Sequence, residues 1–309
     1  MPTPSQLRTN AAATGLSVRY RNPSYIADRA FPVLNGITKD EGSVHVYNKE
    51  NLSAIDAAGP LSPRAPAPEA DWTPTSVTYA LERYALKELV LQEEIDNADV
   101  AFSPEDDAVL NLTDRLLVIR ELKAATVMFT AGNWGSSTTL SGTSQWNDDT
   151  SDPLGVIETA SDALFTPFNT IVMGKNVWSE IRHHPDVTQR FQYTTGGGVT
   201  LAQFASLFES DDGSAPQIMV GSAKQVTSEE GVAVTTGYIW GKHLWVGYVD
   251  PAPGLRALTA CATLQRGQSR TVTEWDNNDP EGMWKRVQDR YLHKVIASDL
   301  GYLVVDAVA

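Results

Sequence analysis

Cysteine is nearly missing from the 309-residue chain: Cys261 is the single one, so no internal disulfide can form. One thiol suits a protein made and kept in a reducing cytosol. Cys261 lies in the apolar segment 257–264 with no basic or histidine neighbour in sequence, so it is expected to be buried and inert. Long apolar runs are also missing: nothing approaches the roughly 20 residues of a membrane helix. Residues 1–14 are polar and Ala-rich and lack the apolar stretch of a secretory signal. Positive charge is scarce, with 24 Lys and Arg against 38 Asp and Glu and a net charge of −14, which excludes a general nucleic-acid binder. No internal repeat is visible.

The constellations that carry chemistry are scarce too. His183-His184 are adjacent and point apart on either helix or strand, with no second His or Cys at ligand spacing, so they are expected to be a polar pair at a helix end. Gly196-Gly197-Gly198 lacks the Lys-Ser/Thr of a phosphate loop and the spacing of a dinucleotide fingerprint, and is expected to be a hinge. Asp148-Asp149 and Asp211-Asp212 are expected to be solvated turns. There is no Gly-x-Ser-x-Gly. No catalytic, metal or cofactor site is expected.

What is present is uneven. Residues 1–40 hold Arg8, Arg19, Arg21, Arg29 and Lys39 against Asp28 and Asp40, a net of +3, which leaves the remainder at −17. Such a basic arm suits docking on an acidic neighbouring body or touching a polyanion, and a mildly basic solvated tail has the same composition. Nine of the 17 prolines precede residue 75 and cluster over 60–68, where fixed φ and missing N–H groups forbid sheet or helix interior. The flanks alternate, with Val44 and Val46 before and Val77, Tyr79 and Leu81 after, as strands do. The region 42–86 therefore reads as a long two-stranded projection with a stiff tip. Such a ribbon is marginal alone in water and makes sense lying on another subunit.

The strongest helix is expected over 103–131: Ser103 caps it, Pro104 opens it, Glu105, Asp106 and Asp107 favour its dipole, and Gly132 stops it. Its apolar stripe runs Val109, Leu112, Leu116, Ile119, Leu122. Shorter helices are expected over 156–165, 177–182 (closed by His183-His184-Pro185) and 200–208. Strands are expected over 169–174, 217–220, 238–248, 255–263 and 301–305. A second long hairpin pairs 269–275 with 283–297 around a turn at 276–282. Of the eight tryptophans, Trp72, at the end of the proline-rich tip, is the best interface candidate.

With these parts in order, the chain resembles the major capsid proteins of tailed bacteriophages. The resemblance rests on Asn22-Pro-Ser-Tyr-Ile-Ala-Asp-Arg-Ala-Phe-Pro32 near the start. It continues through Gly132-Asn-Trp134, Thr139-Leu-Ser-Gly-Thr-Ser-Gln-Trp146, Ser151-Asp-Pro153 and Phe168-Asn-Thr-Ile-Val-Met-Gly-Lys-Asn-Val-Trp178. It ends at Asp299-Leu-Gly-Tyr-Leu-Val-Val-Asp-Ala-Val308, so it spans essentially the whole chain.

The resemblance implies the HK97-like α+β fold. Residues 1–40 would be an N-terminal arm, 41–88 the extended E-loop, 89–154 the first part of a P-domain with its spine helix near 103–131, 155–265 an A-domain, and 266–309 a returning P-domain hairpin and C-terminal strand. It implies a structural, non-enzymatic protein that self-assembles into pentamers and hexamers of an icosahedral virion shell around double-stranded DNA, put together in the host cytoplasm. Partners would be further copies of the chain, a separate scaffolding protein, a portal, a cement protein and the DNA through weak contacts, with no membrane. About 20 residues precede the first matched motif, hence the separate scaffold. No motif carries over the family's Lys–Asn cross-link, and none is expected. Arg19, Arg21, Arg29, Arg64, Glu69 and Trp72 are the candidate intersubunit contacts. Two other readings stand beside this one: an encapsulin-like compartment of the same fold, and a secreted or virion-associated hydrolase with a β-rich body.

Overall fold

In the computed structural model, residues 8–20, 22–46, 66, 75–98, 103–191, 198–209, 213–228, 231–255 and 258–309 are described. The first part of the chain runs β1 (Arg8–Thr9), α1 (Ala11–Arg19), α2 (Ala27–Ala30), β2 (Val33–Leu34) and β3 (Glu41–Val46). Then come β4 (Thr75–Ala80), β5 (Glu82–Leu91), α3 (Gln92–Asp96) and the long α4 (Pro104–Met128). The middle holds β6 (Ser136–Thr139), α5 (Pro153–Ala163), β7 (Thr170–Gly174), α6 (Lys175–Ile181), α7 (Pro185–Phe191) and α8 (Leu201–Ser206). The last part holds β8 (Gln217–Gly221), β9 (Lys224–Val226), β10 (Thr236–Tyr238), β11 (Leu244–Gly247), β12 (Cys261–Asn278), β13 (Glu281–Val295) and β14 (Gly301–Val305).

The helix α4 forms for the reasons its sequence suggests. Ser103 Oγ accepts the Asp106 N–H at 3.4 Å, Pro104 sits in the first turn and three acids follow. At 1.5 Å per residue it is about 38 Å long. It ends at Met128, three residues before the expected stop. There the Trp134 Nε1–H donates to the Met128 carbonyl (2.7 Å) and the Asn133 amide to that of Val127 (2.8 Å), so side chains satisfy the last carbonyls. The buried stripe also differs from the expected one. After Leu116 it continues through Arg120, Ala124 and Met128, while Leu122 is exposed.

Under α4 lies the first sheet, in the order β1-β12-β13-β5, with β2 parallel to β12. The expected strands over 255–263 and 269–275 are one 18-residue strand starting at Cys261, with a register shift between Gln265 and Arg270 where Gly267 turns left-handed at φ 65°. Its hairpin is tighter than expected, since pairing continues to Asn278 and Glu281. Along β13 the odd positions Val287, Asp289 and Tyr291 are buried and the even ones half-exposed, so α4 covers one face only.

A second sheet runs β6-β14-β11-β7-β8. Its β7 and β11 are buried at every position, so both faces need cover. Ile157 of α5, Val177 and Ile181 of α6 and Phe204 of α8 provide it in one hydrophobic cluster. Expected boundaries move here in three ways. First, β6 and β14 hydrogen-bond in this sheet, where β14 runs buried between β6 and β11. Second, the strand expected over 238–248 is broken: Gly241 is left-handed at φ 53°, Trp240 turns into the core, and β10 pairs with β9 instead. Third, Pro185 does not merely end a helix. It opens α7, where a missing N–H is tolerated.

The ribbon β3-β4 is a separate two-stranded sheet, paired from Glu41↔Ala80 to Val46↔Thr75. Val44 is buried in the central cluster, and Val77 and Tyr79 pack against that cluster. Ser43, His45, Ser76 and Thr78 are exposed. The proline-rich tip lies almost wholly outside the described residues.

Candidate assembly surfaces

The body is locked by a buried ionic cluster that no motif announces. Arg120, 4% exposed on α4, places Nε 2.8 Å from Asp28 Oδ1 and Nη1 3.0 Å from Asp289 Oδ2. Its guanidinium also lies 4.5 Å from the Tyr291 ring centre. One side chain thus ties α2, α4 and β13 together. Burial of Asp289 outweighs the pull of Arg120 and Arg270 and holds its carboxyl above the usual range. Next to Arg120, Glu121 accepts the Ala27 N–H and the Trp240 Nε1–H, both at 2.7 Å. Burial still pushes its carboxyl up to about 7. Beyond, the Tyr20 and Tyr25 hydroxyls donate to Asp114 at 3.1 and 2.8 Å, and the hydroxyls of Ser17 and Thr113 meet at 2.8 Å.

These contacts concern the segment expected to be an arm. From Arg8 onward it packs on its own body: β1 pairs with β12, Ala13 joins the cluster under α4, and Ile26 and Phe31 enter the central core. Apolar side chains at these positions favour burial at home over reach. Of the candidate contact residues, Arg19 is exposed at the C-terminal end of α1, where the dipole favours a cation. Arg29 is exposed on α2, at the mouth of a cavity of about 330 Å³ beside Tyr20, Tyr25 and Arg120. Arg21, Arg64, Glu69 and Trp72 lie outside the described residues.

A surface not anticipated from sequence is the β9–β10 hairpin, where Val226, Val232 and Val234 are 62%, 64% and 75% exposed. Its signal was the run Gly231-Val-Ala-Val234, apolar yet flanked by Glu229 and Glu230.

The chemistry-bearing residues have structural partners. His184 is buried and its Nε2 sits 3.1 Å from both Ser151 Oγ and the Asp148 carbonyl, so it staples a loop to a helix start. Cys261 is buried beside the Ala30 carbonyl (3.3 Å), and burial pushes its thiol up. Among the described residues no group of three His, Cys, Asp or Glu could hold a metal ion, and no helix is long and apolar enough to cross a membrane. The Asp211-Asp212 pair lies outside the described residues.

A long helix over a five-stranded, mainly antiparallel sheet, a mixed sheet beside it and a projecting ribbon together define the HK97-like capsid fold. Two solved structures share it. A phage-related protein from Bordetella bronchiseptica has a TM-score of 0.76 at 22% identity, with 97% of each chain covered. The capsid of cyanophage P-SCSP1u has a TM-score of 0.60 at 9% identity, covering 93% of this chain and 89% of that one. A family profile described as phage major capsid protein E matches residues 132–295, more than half of the chain, and the chain belongs to that family. Curated relatives agree over nearly full length. The major capsid protein of Pseudomonas phage JBD67 is 29% identical, covering 96% of both chains. That of Burkholderia phage BcepMu is 24% identical, covering 97% of both. The protein is a structural shell component of a phage, not an enzyme.

Proposed function

We propose that copies of this chain form pentamers and hexamers that tile an icosahedral head around double-stranded DNA. The observation that supports this reading best is the β3-β4 ribbon. One face of the ribbon packs on the subunit's own core through Val44, Val77 and Tyr79, but two strands with no third partner among the described residues leave edge N–H and C=O groups that can pair with a surface on another chain. A neighbouring copy supplies that surface, and many weak contacts closed by symmetry make a stable shell. In this reading 41–88 is the E-loop, α4 the spine helix, and the sheet of β7 and β11 the core of the A-domain, with the exposed valine hairpin facing other copies. The exposed Arg19 and Arg29, with Arg21, Arg64, Glu69 and Trp72, contribute intersubunit contacts.

A separate scaffolding protein, a portal and a cement protein complete the head, assembled in the host cytoplasm. The acidic body limits adhesion to DNA that must slide during packaging. The test is electron microscopy of the chain expressed with its scaffold, beside a variant with residues 47–74 replaced by a short Gly-Ser link. Closed particles are expected from the first, and folded but unassembled subunits from the second. Particles from the shortened chain would refute the role given to the ribbon.

A further inference from the structure

The face of the first sheet that α4 does not cover concentrates positive charge on an acidic protein. The registers Lys87↔Arg286↔Thr273, Arg83↔Arg290 and Leu89↔Trp284↔Trp275 put these side chains on one face across three strands. The Lys87 ammonium sits 4.0 Å from the Trp284 ring centre, and the Arg286 guanidinium 5.5 Å from that of Trp275. The two tryptophan rings stack with centres 6.2 Å apart. The Arg83 guanidinium donates to Gln288 Oε1 at 2.8 Å and Arg286 Nε–H to Thr273 Oγ1 at 2.9 Å, which orders both cations without neutralising them. Asp40 pairs with Arg290 at the edge. Among the described residues no carboxylate lies within salt-bridge distance of Arg83, Lys87 or Arg286.

That arrangement is unfavourable in a lone subunit. Like charges directly opposite on neighbouring strands repel, and Lys87 and Arg286 are such a pair. The Arg286 guanidinium is pulled down by partial burial and by the charge of Arg83. Without the three cations Arg83, Lys87 and Arg286, the rest of the chain carries −17. The negative charge is dense at the hairpin-tip end of the same sheet, beyond Leu89 and Trp284, where Glu93, Glu94 and Asp96 of α3 and Asp106 and Asp107 of α4 are exposed. Face and acidic end are different places on one molecule, so a contact between them is head-to-tail, the kind that closes into rings.

We propose that the sheet face carrying Arg83, Lys87, Arg286, Trp275 and Trp284 docks on the acidic α3–α4 end of a second copy of this chain. The proposal rests on the reading that copies surround one another in rings. The tryptophans supply desolvated apolar area and the cations supply register, as at protein interfaces generally. A bound polyanion is the competing occupant, but the complementary charge is already present at high local concentration on every neighbouring subunit.

The test uses the full chain under conditions in which the wild type forms closed particles. Lys87→Cys with Glu94→Cys introduces two thiols on a background whose only other cysteine is buried. Oxidation of particles is expected to give a ladder of covalent oligomers on a non-reducing gel, and either single variant none. Particles that form without a ladder overturn the proposal and leave the ring reading intact. Wild type that forms no closed particle with its scaffold overturns the ring reading and this one with it.

The charge-reversed chain Lys87→Glu with Arg286→Glu is expected to lose assembly by at least about tenfold while its circular dichroism stays that of the wild type. Adding Glu93→Lys, Glu94→Lys and Asp106→Lys to the same chain is expected to restore it. Undiminished assembly of the first variant, or assembly with loss of DNA retention only, overturns the docking.

Discussion

Replacing Arg120 with Met should reveal how much of the body depends on one guanidinium. The side chain is 4% exposed and holds Asp289, itself 3% exposed, at 3.0 Å. Met keeps the volume and removes the charge, which leaves a buried carboxylate short of its main partner. Breaking a buried pair this way typically costs about 3–5 kcal/mol. Two features favour the lower end: Arg270 still bears on Asp289, and Asp28, 44% exposed, can turn to water. The expected loss is therefore about 3 kcal/mol at pH 7, read from urea unfolding of the unassembled chain by tryptophan fluorescence.

The pH dependence checks the cause. Without Arg120, burial raises the Asp289 carboxyl further above its unfolded value. The penalty is then present above the raised folded value and is relieved as pH falls through it. The deficit should shrink at pH 4, and Asp289→Asn in the same chain should recover much of it at pH 7. A loss under about 1 kcal/mol, or one equal at both pH values, would refute the argument that a desolvated charge is at stake.

Three further outcomes are expected. Glu121 is pushed up to about 7 by burial, from an unfolded 4.5, so its contribution is fully present below 4.5 and is lost as pH rises through 7. Glu121→Gln, which cannot accept from both Ala27 and Trp240, should be less stable than wild type at pH 5, with the gap narrowing by pH 8 in denaturation midpoints. Gly221→Ala places a Cβ against the Trp240 ring, and should cost about 1–3 kcal/mol with a shift in tryptophan emission. Cys261 should resist a thiol reagent in the native chain and react once per chain in denaturant; fast native labelling would contradict its burial.

The elements that could be read from the sequence are those whose signals are local. Ser103-Pro104 and three acids mark the start of α4, and Val44 with Val77 and Tyr79 marks the ribbon. What could not be read depends on distant partners. Apolar spacing alone carries the α4 stripe to Leu122, whereas Arg120 is buried through partners 92 and 169 residues away in sequence. The break at Gly241 is invisible inside the apolar run 238–248, because only tertiary packing turns Trp240 toward Glu121. The surfaces were harder still. Trp275 and Trp284 stand side by side only through the hairpin register, and the basic face exists only across three strands.

The long hairpin has a mechanical consequence. Its two strands run the length of the first sheet, about 60 Å for the longer one. The root, at Cys261 and Val295, borders the core that holds Trp240 and Trp245, and the tip lies beside α3. Antiparallel hydrogen bonds lie perpendicular to the strands. A pull along the strands therefore loads all of them in shear at once, while a peel from one end breaks them singly. The subunit is stiff in tension along this axis and yields more readily to bending across it, so a shell under internal pressure is best resisted where the hairpins lie in its plane.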